Sequence, residues 1–334
     1  MMWNRTPPLD GAGVSPIDES RSTGDARPTW LLFGELLSDC FPDREIAGGA
    51  PFNVAAHLAA LRDEQDGQPL LVSRVGHDAR GEFLLRRLRE LGLGTEAIQF
   101  DGCHASGHAE IRPEAGGHRF VIDPEQAWDY IAPAPVLRVL DGRQPAWIYF
   151  GTLAQRGVSR ATLRSLFGAN VTPGFLDVNL REEAISHDVL EWSLGHAQVL
   201  KLNEDELHRI AALTGTGTGD PRAVALRLIE RFGIGRVIVT RGEHGAWTVD
   251  GNASLVATEA EATPEDFRDS VGAGDAFAAV CLLGLVRGWP VELWLRRANR
   301  FARGICRIRG AVPDRPEFYE GFRREFCEPV EHIA

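Results

Sequence analysis

Short apolar runs alternating with helical stretches constrain this chain more than any other feature. WLLFGE (30–35), LLVSRVG (70–76), AWIYFG (146–151), TPGFLDVN (172–179), AQVLKLN (197–203) and GRVIVTRG (235–242) each read as a buried strand. Helices are predicted between or after them. One is entered at Pro51, where proline suits a first turn, and runs through VAAHLAAL. Another covers GEFLLRRLRELG, with Leu84, Leu88 and Leu91 on one face and Gly92 closing it. Further helices fall near 159–168, 187–195, 203–212 and 221–233. Continuous apolar strands separated by helices require a mostly parallel sheet covered on both faces, an α/β three-layer fold with ligands at the strand C-terminal ends.

Two segments break this rhythm. CFPDREIA (40–47), and HASGHAEIRPEAGGHRFVI (104–122) with a turn at Gly116–Gly117, read as antiparallel strands. Lying between parallel units, they are expected to form a small separate sheet, a lid over a site. Its strand edges invite pairing with a second copy, so a homodimer through the lid is expected. Residues 1–28 are polar, rich in Pro, Gly, Ser and Asp, and lack the apolar core of a signal peptide. They read as a disordered tail ahead of one folded domain over 29–330.

Composition excludes several function classes. A net charge of −11 argues against a nucleic-acid surface, which needs clustered Lys and Arg. No stretch has the apolar length of a membrane span. The five cysteines, Cys40, Cys103, Cys281, Cys306 and Cys327, show no metal-ligand spacing, which fits reduced thiols in a cytoplasmic protein. His104, His108 and His118 crowd one segment but read as solvated side chains of a hairpin.

The stretch DSVGAGDAFAA (269–279) places Gly272, Ala273 and Gly274 just before Asp275 and a long apolar run. Asp275 has a bland reading as part of a helix start. The sharper reading is an anion site, because glycines let a phosphate reach the bare amides of a helix N-terminus.

With three further motifs, this stretch resembles the ribokinase-like (PfkB) family of carbohydrate kinases, whose signature is D-T-x-G-A-G-D. GGAPFNVA (48–55) with VGHDARG (75–81), KLNEDE (201–206) and TRGEHG (240–245) are similar to other family blocks, in the family's order. The similarity covers about residues 30 to 325. Ser270 and Val271 depart from the commoner residues after the first Asp.

The resemblance implies a ribokinase-like fold and phosphoryl transfer from ATP to a sugar hydroxyl. It implies Asp275 as the base, with the amides of Gly272, Ala273 and Gly274 cradling the phosphoryl group. Asp39, Gly48, Gly49 and Asn53 would bind the sugar, and Asn203 and Glu206 would order Mg²⁺ through its waters. A capping box is the structural reading of that second pair, and both roles can hold together. Thr240, Gly242, Gly245 and Asn299 would lie around the nucleotide. Asp269 and the Val271 carbonyl, with the loop at RGAVP (309–313), would hold a monovalent cation such as K⁺.

GELLSDCFPD (34–43), GGAPFNVA and DVNLR (177–181) are most similar to the bacterial fructokinase branch, implying the 6-hydroxyl of fructose as acceptor. Kinases of 2-keto-3-deoxygluconate share an Asp-x-Asn-x-Arg stretch, and Arg181 keeps that alternative open. Arg112 and Arg119, in the expected lid, are further candidates for a charged substrate. A catalytically inactive sugar-binding homologue is the rival from another class; it would be expected to lose Asp275, which is present.

Overall fold

The computed structural model describes residues 29–41, 44–114, 117–141, 144–169, 172–180, 185–259, 264 and 266–328. The expected N-terminal tail and Arg181 lie outside the described residues.

Along the first half run β1 (Thr29–Phe33), β2 (Leu37–Cys40), β3 (Glu45–Gly48), α1 (Ala50–Leu61), β4 (Gln68–Gly76), α2 (Ala79–Glu90), β5 (Ile98–Asp101), β6 (Gly107–Glu114), β7 (Gly117–Val121), α3 (Pro133–Leu140) and β8 (Pro145–Phe150). There follow α4 (Gly157–Ala169), β9 (Gly174–Asp177), α5 (His187–Gly195), β10 (Ala197–Asn203), α6 (Glu204–Thr214), α7 (Pro221–Phe232) and β11 (Arg236–Thr240). The chain continues through β12 (Ala246–Asp250), β13 (Leu255–Ala257), α8 (Ala273–Val286), α9 (Val291–Ile305) and α10 (Glu317–Cys327).

Nine strands form one sheet in the order β13-β12-β11-β10-β9-β8-β1-β4-β5. From β11 to β5 every pair is parallel, and only β12 and β13 run antiparallel. Alternate strand residues feed two cores: Leu32 and Leu71 pack with α1, α8 and α9, while Leu31, Phe33 and Val72 pack on the opposite face. The chain leaves β1 first toward β4 and β5, then returns to β8 on the other side. That reversal opens a crevice at the strand C-terminal ends, where ligands bind in open α/β sheets.

A separate four-stranded sheet has the order β3-β2-β6-β7. Within the first lid segment, 40–47, lie the end of β2 and part of β3, which pair antiparallel. The sequence hides β2 because Leu36 and Leu37 prolong the apolar run of β1, whereas the chain bends at Gly34. The second segment forms β6 and β7, with Arg112 and Arg119 in register; their side chains lie outside the described set.

Candidate active site

Residues from both sheets and from the start of α8 line one cavity of about 590 Å³. Among them are Asp39, Gly49, Asn53, Asn203, Glu206, Thr240, Asp269, Val271, Gly272, Gly274 and Asp275, all singled out in the sequence. Ala109 of β6 and Leu37 of β2 close it from the small sheet.

The backbone explains the glycines of DSVGAGDAFAA. Gly272 is the N-cap of α8 with φ +77, and a Cβ there would stand 2.3 Å from that of Ala311. Only glycine meets both demands. Gly274 is different: its φ is not left-handed, and a Cβ would meet only the Lys201 Nζ, at 3.4 Å. The Ala273 amide donates to the Ser270 carbonyl at 3.2 Å. Gly274 and Asp275 follow in the first turn, where amides have no preceding turn to bond. From Ala276 to Gly284 the helix is buried all round, so this start is fixed firmly in the core.

Asp275 is joined to the other signature. The Asn53 side-chain amide donates to Asp275 Oδ2 at 2.8 Å, across 222 positions of sequence. Asn53 is buried on α1, and its Oδ1 has no protein partner among the described residues. The entry to α1 is shaped by Gly49, at φ +107, where a Cβ would stand 2.5 Å from the Glu35 carbonyl oxygen. Glu35 itself accepts from the Ala50 amide at 3.1 Å, acting as a cap supplied from the end of β1. Gly48 stands beside Asp39: a Cβ there would lie 2.4 Å from Asp39 Oδ2.

Asn203 and Glu206 form a reciprocal capping box at the start of α6, both bonds at 2.8 Å. Glu206 also accepts from the Leu180 amide at 2.7 Å, tying the loop after β9 to this helix. In that loop Asn179 lines the cavity in a left-handed conformation, φ +46. Thr240 reaches the cavity, whereas Gly242, Gly245 and the buried Asn299 are not among the residues lining it. Gly245 has a packing reason for being glycine, because a Cβ would stand 2.5 Å from Thr258 Oγ1.

Sequence reasoning missed the charged floor of the cavity. Lys201 and Asp177 are both buried there, bonded at 2.8 and 2.9 Å, and Asp177 also accepts from the Tyr149 hydroxyl at 3.2 Å. Burial opposes the Lys201 charge, but Asp177, then Asp275 and Glu206, outweigh it and raise its pKa, so the ammonium persists. Burial, followed by the charges of Asp177, Asp275 and Glu35, holds the Tyr149 phenol protonated. A lysine between two leucines of the buried strand AQVLKLN was the available signal, since a buried cation demands a partner.

Among the described residues, no group of three or more His, Cys, Asp or Glu is placed to cage a metal. His104 instead stacks on Tyr130, at 3.6 Å between ring centroids, and bonds Asp101. No described helix is long and apolar enough to cross a membrane.

Comparison with known proteins gives a consistent result. The model described as pfkB family carbohydrate kinase matches residues 25–317. A fructokinase from Vibrio alginolyticus is 28% identical over 294 residues, 82% of this chain and 90% of that protein. One from Klebsiella pneumoniae is 28% identical over 283 residues, 79% and 86% of the two chains. Among solved structures, a fructokinase with bound ATP from Xylella fastidiosa superposes with a TM-score of 0.74 at 21% identity, covering 90% of this chain and 99% of its own. A Vibrio cholerae fructokinase with fructose, ADP and calcium ion bound gives 0.71 at 24%, covering 88% and 99%. These two structural likenesses establish the ribokinase-like fold.

Proposed function

The chain belongs to the pfkB family of carbohydrate kinases, and we propose that it transfers the γ-phosphoryl group of ATP to a free sugar, at the 6-hydroxyl of fructose. The observation that carries this reading is the Asn53–Asp275 hydrogen bond, which joins GGAPFNVA to DSVGAGDAFAA and supports a shared site.

In the proposed mechanism Asp275 accepts the proton of the attacking hydroxyl while Asn53 orients it. The amides at the start of α8 receive the charge that develops on the phosphoryl oxygens, with the helix dipole behind them. Asp39 and the unpartnered Asn53 Oδ1 suit sugar hydroxyls, which can donate to both. Thr240 would face the nucleotide, with Gly242, Gly245 and Asn299 shaping the walls behind it.

The residues fit Mg²⁺ held through water rather than in a protein cage. Both Glu206 oxygens already accept backbone amides, leaving lone pairs for water, and Mg²⁺ sheds its waters reluctantly. Bound there, Mg²⁺ would neutralise phosphate charge. Asp269, the Val271 carbonyl and the loop around Ala311, which packs on Gly272, would hold a monovalent cation such as K⁺. All five cysteines are free, which supports a cytoplasmic setting.

Fructose is favoured over an acidic sugar by charge. Six acids line the cavity, Glu35, Asp39, Asp177, Glu206, Asp269 and Asp275, against the cations Lys201 and Arg268 among the described residues. A substrate carboxylate would meet Glu35 and Asp39 at the sugar end. The fructokinases at 28% identity, and the fructose held by the Vibrio cholerae enzyme, support the same choice. A coupled ADP-release assay over fructose, 2-keto-3-deoxygluconate, ribose and adenosine tests it, with fructose expected to give the highest kcat/KM. Faster turnover of 2-keto-3-deoxygluconate would overturn the substrate and leave the kinase.

A further inference from the structure

Lys201 is the single lysine in a chain that carries thirty-five arginines. Everywhere else a positive charge is a guanidinium; here alone it is an ammonium, 5% exposed, on the cavity floor. Two of its protons go to the Asp177 carboxylate, which the Tyr149 hydroxyl braces from its other side. For the third proton there is no further acceptor among the described residues. The nitrogen lies 3.4 Å from where a Cβ on Gly274 would stand, within the amide cradle at the head of α8.

We propose that Lys201 is a further catalytic residue, donating this third proton as a hydrogen bond to a non-bridging oxygen of the phosphoryl group during transfer. The inference rests on the kinase reading above. In the step, the sugar oxygen forms a bond to the γ-phosphorus as the bond from that phosphorus to the β–γ bridging oxygen breaks. The breaking pair stays with ADP, the hydroxyl proton goes to Asp275, and Lys201 keeps all its protons throughout.

Three features point this way rather than to a purely structural ion pair. A tetrahedral ammonium can hold a carboxylate with two protons and aim a third elsewhere, whereas a planar guanidinium commits its fork to one plane. The charge is desolvated and fixed before the reaction, which is when an electrostatic contact is most effective in the transition state. Gly274 keeps the path between the ammonium and the first-turn amides open, since the beginnings of any side chain there would touch Nζ. Stitching β9 to β10 would need none of these.

Labelling with ¹⁵Nζ-lysine gives one side-chain signal from the whole protein, so the wild type reports directly. The signal is expected to move when aluminium fluoride, which imitates the transferring phosphoryl group, is added to enzyme holding MgADP and fructose. A signal that moves with MgADP but not further with aluminium fluoride would overturn the proposal. The variant Lys201→Met with Asp177→Asn removes both charges together, avoiding an unpaired buried ion. It should bind MgADP and fructose within about threefold of wild type, yet lose about 10²–10³ in kcat, the range for one lost oxyanion donor. A kcat within threefold of wild type would overturn the proposal. Wild-type turnover is read first, so a failed kinase reading is distinguished from a failed role for Lys201.

Discussion

In the proposed mechanism Asp275 and Gly272 have different parts, and substitution should separate them. Asp275→Asn preserves size and the bond geometry to Asn53 but cannot take the hydroxyl proton, so kcat should fall by about 10²–10⁴ with nucleotide affinity little changed. Gly272→Ala should damage folding as well as binding, because the added methyl meets Ala311 in a left-handed backbone. Gly274→Ala, in ordinary contact with Lys201, should fold normally. Thermal denaturation and steady-state kinetics on the three proteins check this, and a stable Gly272→Ala protein would contradict it. At this scale the motif residues were legible through their resemblance to family blocks, and Asp39, Asn53, Asn203, Glu206 and Asp275 share one cavity. The Lys201–Asp177–Tyr149 floor was not legible, because its partners come from three neighbouring strands and no local pattern links them.

At the scale of elements, α1 packs against α8 and α10, and the buried His57 ties it to α10 and α9. Its ring nitrogen Nδ1 lies 3.0 Å from the Tyr319 hydroxyl, and its edge packs against Phe301. Burial pushes the imidazole down from 6.5 to about 3, despite some help from the Ala311 backbone. The unfolded chain therefore takes up the proton first, so this group's contribution is complete above pH 6.5 and is lost as pH falls toward 3. By pH 5 the loss should be about 2 kcal/mol. Urea unfolding at pH 7.5 and pH 5 should show it, with a flatter dependence in His57→Gln; equal slopes would contradict the assignment. Most core strands and α1 to α7, apart from α3, were readable from apolar runs and helical spacing. Six elements were not anticipated: β5 is IQFD, four residues long, α3 opens with prolines and β13 is only LVA, while β12, α9 and α10 were passed over despite clearer patterns. The places of β5 and β13 are set by the sheet they join rather than by their own composition.

For the whole molecule, the decisive arrangement is a crevice at the sheet's reversal, a small sheet on one side and the head of α8 on the other. An alternating strand and helix pattern implies that crevice but cannot say which loops meet across it. Four ordered motifs supplied that, and Asn53 against Asp275 shows two of them meeting. If this arrangement is a sugar kinase, ADP should appear only when the sugar is present, mole for mole with a phosphorylated sugar. The most direct measurement is ³¹P NMR of wild-type protein with MgATP, with and without fructose. The account predicts a new phosphomonoester signal growing in step with ADP in the fructose sample and almost no ATP loss without it. ATP consumption that ignores the sugar, releasing inorganic phosphate and no phosphomonoester, would contradict it.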